Sequence, residues 1–178
     1  MYIAARHAQH DVQAMHALIA AHALGTLVTL DEGLPDADHL PFEFIEAGEH
    51  GLLRAHVARA NPVWRRAGQR VLVAFRGPAG YEPPDPVEKV EREGRVVPTW
   101  DYHAVHVHGV LRVIEEPAWL LALVRRQTEH HEAAQPHPWS VDDAPPSYIE
   151  GMLKAIVGIE IAVERIEGKW KGSAPGAR

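Results

Sequence analysis

"VVPTWDYHAVHVHG", residues 96–109, is the stretch from which the rest of the chain is best read. Successive side chains of a strand point to opposite faces, so Trp100, Tyr102, Ala104, His106 and His108 share one face while Thr99, Asp101, His103, Val105 and Val107 share the other. One face is aromatic and then imidazole; the other is mixed and carries the valines. Gly109 is where such a strand can bend before continuing through "VLRVI" (110–114).

On the N-terminal side, "GTLVTL" (25–30), "DHLPFEFI" (38–45), "LLRAHVA" (52–58) and "RVLVAFRG" (70–77) read as strands. The turns "DEG" (31–33) and "EAGEHG" (46–51) are short, which makes neighbouring strands antiparallel. On the C-terminal side, "GIEIAVERIEGKWK" (158–171) alternates Ile159, Ile161 and Val163 against Glu160, Ala162 and Glu164, a half-exposed last strand. Asp11 can cap a helix carrying Val12, Met15, Ile19 and Ala23 and ending near Gly25. Pro117 opens a second helix, with Leu120, Leu123 and Val124 on its buried stripe. Ser147 and Glu150 form an S-x-x-E box ahead of a third, over "YIEGMLKAIV" (148–157).

Two connections remain. The proline-rich, acidic segment 78–95 has no sustained period and reads as a long excursion, and "QPHPWSVDDAPP" (135–146) reads as a loop. About six strands with three peripheral helices give a mainly β, α+β fold: an antiparallel sheet curled into a closed or split β-barrel. We expect one domain over residues 1–171 and a disordered tail over 172–178.

The 178 residues are 46% hydrophobic and 24% charged, as in an ordinary globular protein, and no apolar run is long enough to span a bilayer. The absence of cysteine excludes disulfides, thiolate zinc sites and cysteine nucleophiles, and with no signal segment at the start a cytoplasmic location is expected. A formal net charge of −6 disfavours generic attraction to DNA or to an anionic membrane. There is no GxGxxG, Walker loop or GxSxG.

Three places could carry chemistry. In "HVARANPVW" (56–64), Asn61 can cap a short helix with Pro62 at its first position and Gly68 after its end, and Arg59 can fork onto an anion such as a phosphate. The bland alternative is an ordinary cap with Arg59 paired to a surface carboxylate. His106 and His108 could share a metal ion only with a third ligand, for which His39, His56, His130, His131 and Glu132 are candidates; we read the pair instead as barrel or interface residues and assign no metal. The basic pairs Arg125–Arg126, Arg65–Arg66 and Lys169–Lys171 read as solvated charge clusters.

"HALGTLVTL", "DADHLPF", "LRAHVARANPVW", "VLVAFRGPAGY", "GRVVPTWDYHAVHVHG" and "AIVGIEIAVERIEGKWK", taken in order, resemble the PaiB-like FMN-binding negative transcriptional regulator family. The resemblance implies a split barrel related to pyridoxamine-phosphate oxidases and flavin reductases, a homodimer, and FMN at the subunit interface. It assigns the FMN phosphate to Arg59 and Asn61, with Ala58 and Ala60 allowing close backbone approach. It places His39, Leu40, Pro41, His56 and Val57 near the flavin ring, together with Thr99, Trp100 and Tyr102, while Lys169 and Lys171 reach a phosphate or the partner subunit. The chain departs from the family pattern in three places: Tyr81 is followed by "EPPDP" rather than a serine, tryptophan and tyrosine motif, Asp101 replaces an asparagine, and the ending is "KWKGSAPG". A carboxylate at Asp101 would repel a phosphate that it faced.

The resemblance implies a regulator of transcription, with DNA as a partner that the acidic charge does not favour. The alternatives are a small FMN-dependent oxidoreductase on the same barrel and a histidine-based metal-binding barrel.

Overall fold

The structure is a computed structural model and describes residues 1–48 and 50–172. The expected tail, 172–178, lies outside the described residues but for Gly172. In chain order the elements are β1 (Ala8–Gln9), α1 (Val12–Ala21), β2 (Leu24–Asp31), β3 (Leu34–Pro41), β4 (Glu43–Ile45), β5 (Leu52–Ala58), β6 (Arg70–Glu82), α2 (Pro86–Glu91), β7 (Thr99–Ile114), α3 (Pro117–Glu132), α4 (Pro146–Lys154) and β8 (Ile156–Lys171). All strands belong to one antiparallel sheet in the order β3-β2-β6-β7-β8-β5-β4, with β1 added on β8.

The order of the strands shows how this sheet rolls. β3 and β4 are its two edges, yet only Phe42 separates them in the chain. The sheet therefore curls until its edges meet at that residue, but among the described residues no ladder pairs β3 with β4: it is a split barrel, not a sealed one. Phe42 is buried at the corner, edge-on to Phe75. Alternation fills the interior with Leu27, Leu53, Val73, Val105, Val107 and Ile159, and α1 adds Met15, Leu18 and Ile19. α3 and α4 pack against the start of β8.

The 99–108 face assignment holds: Val105 and Val107 are buried, and Ala104, His106 and His108 lie half-buried on the outer face. At Gly109 the β7–β8 register shifts by one residue, because Gly109 pairs with Val163 while His108 pairs with Arg165. A Cβ at Gly109 would lie 2.1 Å from the Ala162 carbonyl oxygen. The expected bend is thus a bulge on β8 that only glycine accommodates opposite it.

Several sequence expectations are corrected. α1 is capped by Asp11, which accepts hydrogen bonds from Gln13 and Ala14 N–H, but it ends at Ala21; Ala23 and Gly25 fall outside it, and Gly25 is already in β2. Residues 38–45 are not one strand, because the chain changes sheet edge at Phe42. The excursion is shorter than expected, since β6 runs on to Glu82 past an irregularity at Arg76–Ala79, and Asp85 caps α2. The Ser147–Glu150 box does not form: α4 starts at Pro146 without a side-chain cap. The capping box lies instead at Ser140 and Asp143, opening a 3-10 turn, Val141–Asp143, within the expected loop. Val124 is half-buried rather than core, and Ile156 opens β8 instead of closing a helix.

Candidate functional site

The residues expected to hold a ligand fall into two groups at opposite ends of β8. The first is built on the end of β5 and the turn after it. Ala58 pairs with Ile156 at the start of β8, and the chain then leaves the sheet so that Asn61 can cap a 3-10 turn, Pro62–Arg66. The Asn61 carboxamide oxygen accepts from Val63 N–H at 2.9 Å, and its nitrogen donates to Asp38 on β3 at 2.6 Å. Asn61 thereby ties the two sides of the split together. Arg66 does the same one turn later: only 8% exposed, it donates to Thr29 and pairs with Asp31 and Asp36 of the β2–β3 hairpin, both at 2.9 Å. It is a structural clamp and not the solvated charge expected.

Arg59 is oriented by backbone. Its Nε donates to Lys154 O at 3.0 Å and Nη2 to Ile156 O at 3.2 Å, while Nη1 pairs with Glu115 at 2.7 Å. The surface carboxylate weighed as the bland alternative is therefore present, and an arriving anion competes with it. Ala58 and Ala60 are exposed, leaving the backbone beside Arg59 approachable. Leu40 and Val57 turn their side chains into the core and can offer a ligand only backbone, whereas His39 and Pro41 are exposed. Gln127 on α3 donates to Pro41 O at 3.2 Å. It also hydrogen-bonds His56, whose pKa burial nonetheless pushes down; His56 Nδ1 is buried without a protein partner.

The second group joins the start of β7 to the end of β8, where Tyr102 pairs with Lys171 and Ala104 with Lys169. Lys171 donates to Thr99 Oγ1 and to Trp100 O, the latter at 2.7 Å. The Lys169 ammonium lies 5.1 Å from the Tyr102 ring centroid and 5.9 Å from that of Tyr2, with no carboxylate partner among the described residues. Trp100 is 55% exposed and meets Tyr81 edge-on at 6.2 Å. Asp101 points the other way: it is 6% exposed and packed beneath Gly172. Its carboxylate does not share the Trp100–Tyr102 face, so the feared repulsion is absent from that face.

Between the groups, the outer face carries His106 and His108. Burial is the leading cause that lowers both pKa values; at His108 the Arg165 charge adds to it and Glu167, 3.4 Å away, opposes it. Among the described residues no cluster of three or more His, Cys, Asp or Glu is arranged to hold a metal ion. Sequence inspection missed Glu115, Asp38, Gln127 and Tyr2, none of which lies near its partner in the chain.

This donor set suits a phosphorylated, planar cofactor. Arg59 and Lys169 offer positive charge, Ala58 and Ala60 let a phosphate approach backbone, and Trp100 and Tyr102 present aromatic surface to a ring. A family model described as "Putative FMN-binding domain" matches residues 1–165. Protease synthase and sporulation protein PAI 2 of Bacillus subtilis is 34% identical over 155 residues, covering 86% of this chain and 72% of its own. In fold, the chain resembles a conserved hypothetical protein, Rv2991, of Mycobacterium tuberculosis (TM-score 0.67, 16% identity, 100% of this chain and 94% of that one). It also resembles the flavocytochrome Anf3 of Azotobacter vinelandii (TM-score 0.66, 12% identity, 96% and 72%). The sequence match over most of the chain, on a flavin-type split barrel whose side chains suit FMN, means that the chain belongs to this FMN-binding domain family.

Proposed function

We propose that the protein is a homodimer that holds FMN between its two copies and acts in the control of gene expression in the cytoplasm. The observation that carries the dimer is the separation of the two ligand groups. Ile156, beside Arg59, and Lys169 are thirteen residue steps apart on one continuous strand, roughly 43 Å of extended chain and far longer than one flavin mononucleotide. A single extended strand keeps the two groups apart, whereas two antiparallel copies packed across the outer face of β7 and β8 would bring one group from each copy to a shared flavin. The Arg59 guanidinium would take the phosphate, and Trp100, Tyr102 and Lys169 of the other copy would close over the ring.

When bound, FMN supplies one- and two-electron redox chemistry. The chain's own residues orient and shield it. Backbone carbonyls hold the Arg59 guanidinium in plane, and Gln127 fixes His56 and Pro41 relative to each other. Kinship with PAI 2, named a protease synthase and sporulation protein, supports a role in the control of a cellular programme. The net charge of −6 confines any DNA contact to a local patch. Gel retardation of promoter DNA by flavin-loaded protein, weakening as salt rises, tests that role. Absence of retardation combined with NAD(P)H-dependent bleaching of the flavin would favour an oxidoreductase instead.

A further inference from the structure

A cleft of about 560 Å³ opens between α1 and the second half of α3; of the residues used in the FMN reading only Gln127, which positions His56 and Pro41, lines it. Phe42, Phe44 and the α1 alanines Ala17 and Ala20 give it apolar lining, and Gln13, His16, Glu46, His130 and His131 add polar groups. Arg126 forks onto Glu43 at 2.6 and 2.9 Å, which ties α3 to β4 and cancels both charges. That leaves Glu46 as a carboxylate with no partner among the described residues, close enough for its charge to act on His16. The His16 ring rests on Phe44, with centroids 4.0 Å apart, and both of its nitrogens are buried without a protein partner. A buried imidazole with neither nitrogen bonded is costly, and a ligand that supplies the missing hydrogen bond removes that cost.

We propose that this cleft is a second binding site, for a small organic cation whose ammonium lies between Glu46 and His16 and whose apolar body lies along Phe44 and the α1 alanines. The uncompensated charge is negative, which selects a cation over a carboxylate. Aromatic faces add to the attraction. Burial, the leading influence, holds the His16 pKa below its ordinary value, so at neutral pH the imidazole keeps a lone pair to accept an ammonium proton.

Three probes that share one apolar body separate the possibilities: 2-phenylethylamine, 2-phenylethanol and 3-phenylpropionate, each titrated calorimetrically into the whole protein. The amine should bind, the alcohol at least about tenfold more weakly, and the carboxylate least of all. Glu46→Gln, at an exposed position, should weaken the amine about tenfold and leave the alcohol unchanged, with FMN titration unaltered. His16→Phe, its fold checked by circular dichroism, should also weaken the amine. Equal binding of all three probes, preference for the carboxylate, no binding of the amine, or an unchanged amine affinity in Glu46→Gln would each overturn the proposal.

Discussion

Arg59 spends its guanidinium on two backbone carbonyls and one carboxylate, so its plane is fixed before any ligand arrives. An anion that takes the Nη1 position must displace Glu115, and the pair it breaks is largely exposed and therefore weak. Arg59→Ala should then weaken FMN about tenfold while leaving riboflavin, which lacks the phosphate, nearly unchanged; titration of flavin fluorescence measures both. Equal FMN affinity in parent and variant would move the phosphate to Lys169. Gly109 carries a different prediction. With a backbone carbonyl 2.1 Å from where a Cβ would stand, neither neighbour can yield without breaking the β7–β8 ladder. Gly109→Ala should lower unfolding stability by about 3 kcal/mol in urea titration, the upper range for overpacking. A variant as stable as the parent would mean that the bulge is freely rearranged.

At the scale of elements, the turn after β5 is what holds the split barrel in shape, because no ladder joins its edges. Arg66→Ala removes the clamp on Thr29, Asp31 and Asp36. Both carboxylates are exposed, so the cost should be moderate, about 2 kcal/mol, but it should be local. Amide exchange in residues 24–41 should rise in the variant more than in β7 and β8, whereas uniform change across the sheet would contradict the clamp. How legible each element was in the sequence follows from the range of the forces that set it. β7 was legible because one buried face imposes strict alternation on residues 99–108, and α1 because Asp11 caps it within one turn. The box at Ser147–Glu150 misled because Pro146 takes the first helical position and fixes the start; the box that forms, Ser140–Asp143, opens a separate 3-10 turn. The break at Phe42 and the burial of Arg66 were not legible, since each depends on where the sheet's far edge lies. In the ligand groups, the motif residues were visible, but Glu115 and Gln127 come from elements far along the chain.

Of the 13 histidines of the whole molecule, five, His16, His56, His103, His106 and His108, have pKa values that burial lowers. Such a group is neutral in the folded state where the unfolded chain already binds a proton, so its contribution is fully present above the ordinary histidine pKa of about 6.5 and is lost as pH falls through the folded value. The urea midpoint should therefore drop between about pH 7.5 and 5.5, and a flat profile would show that these rings titrate as if exposed. Asp36, held down chiefly by its hydrogen bond to Arg66, loses its contribution only at more acid pH. The central claim, that two copies complete one flavin site, is also a property of the whole molecule. Analytical ultracentrifugation of FMN-saturated protein, followed at both protein and flavin wavelengths, tests it most directly. Flavin sedimenting with a species of twice the 19.7 kDa chain mass, one per chain, is the predicted result; a monomer that carries flavin, or a dimer without it, would contradict it.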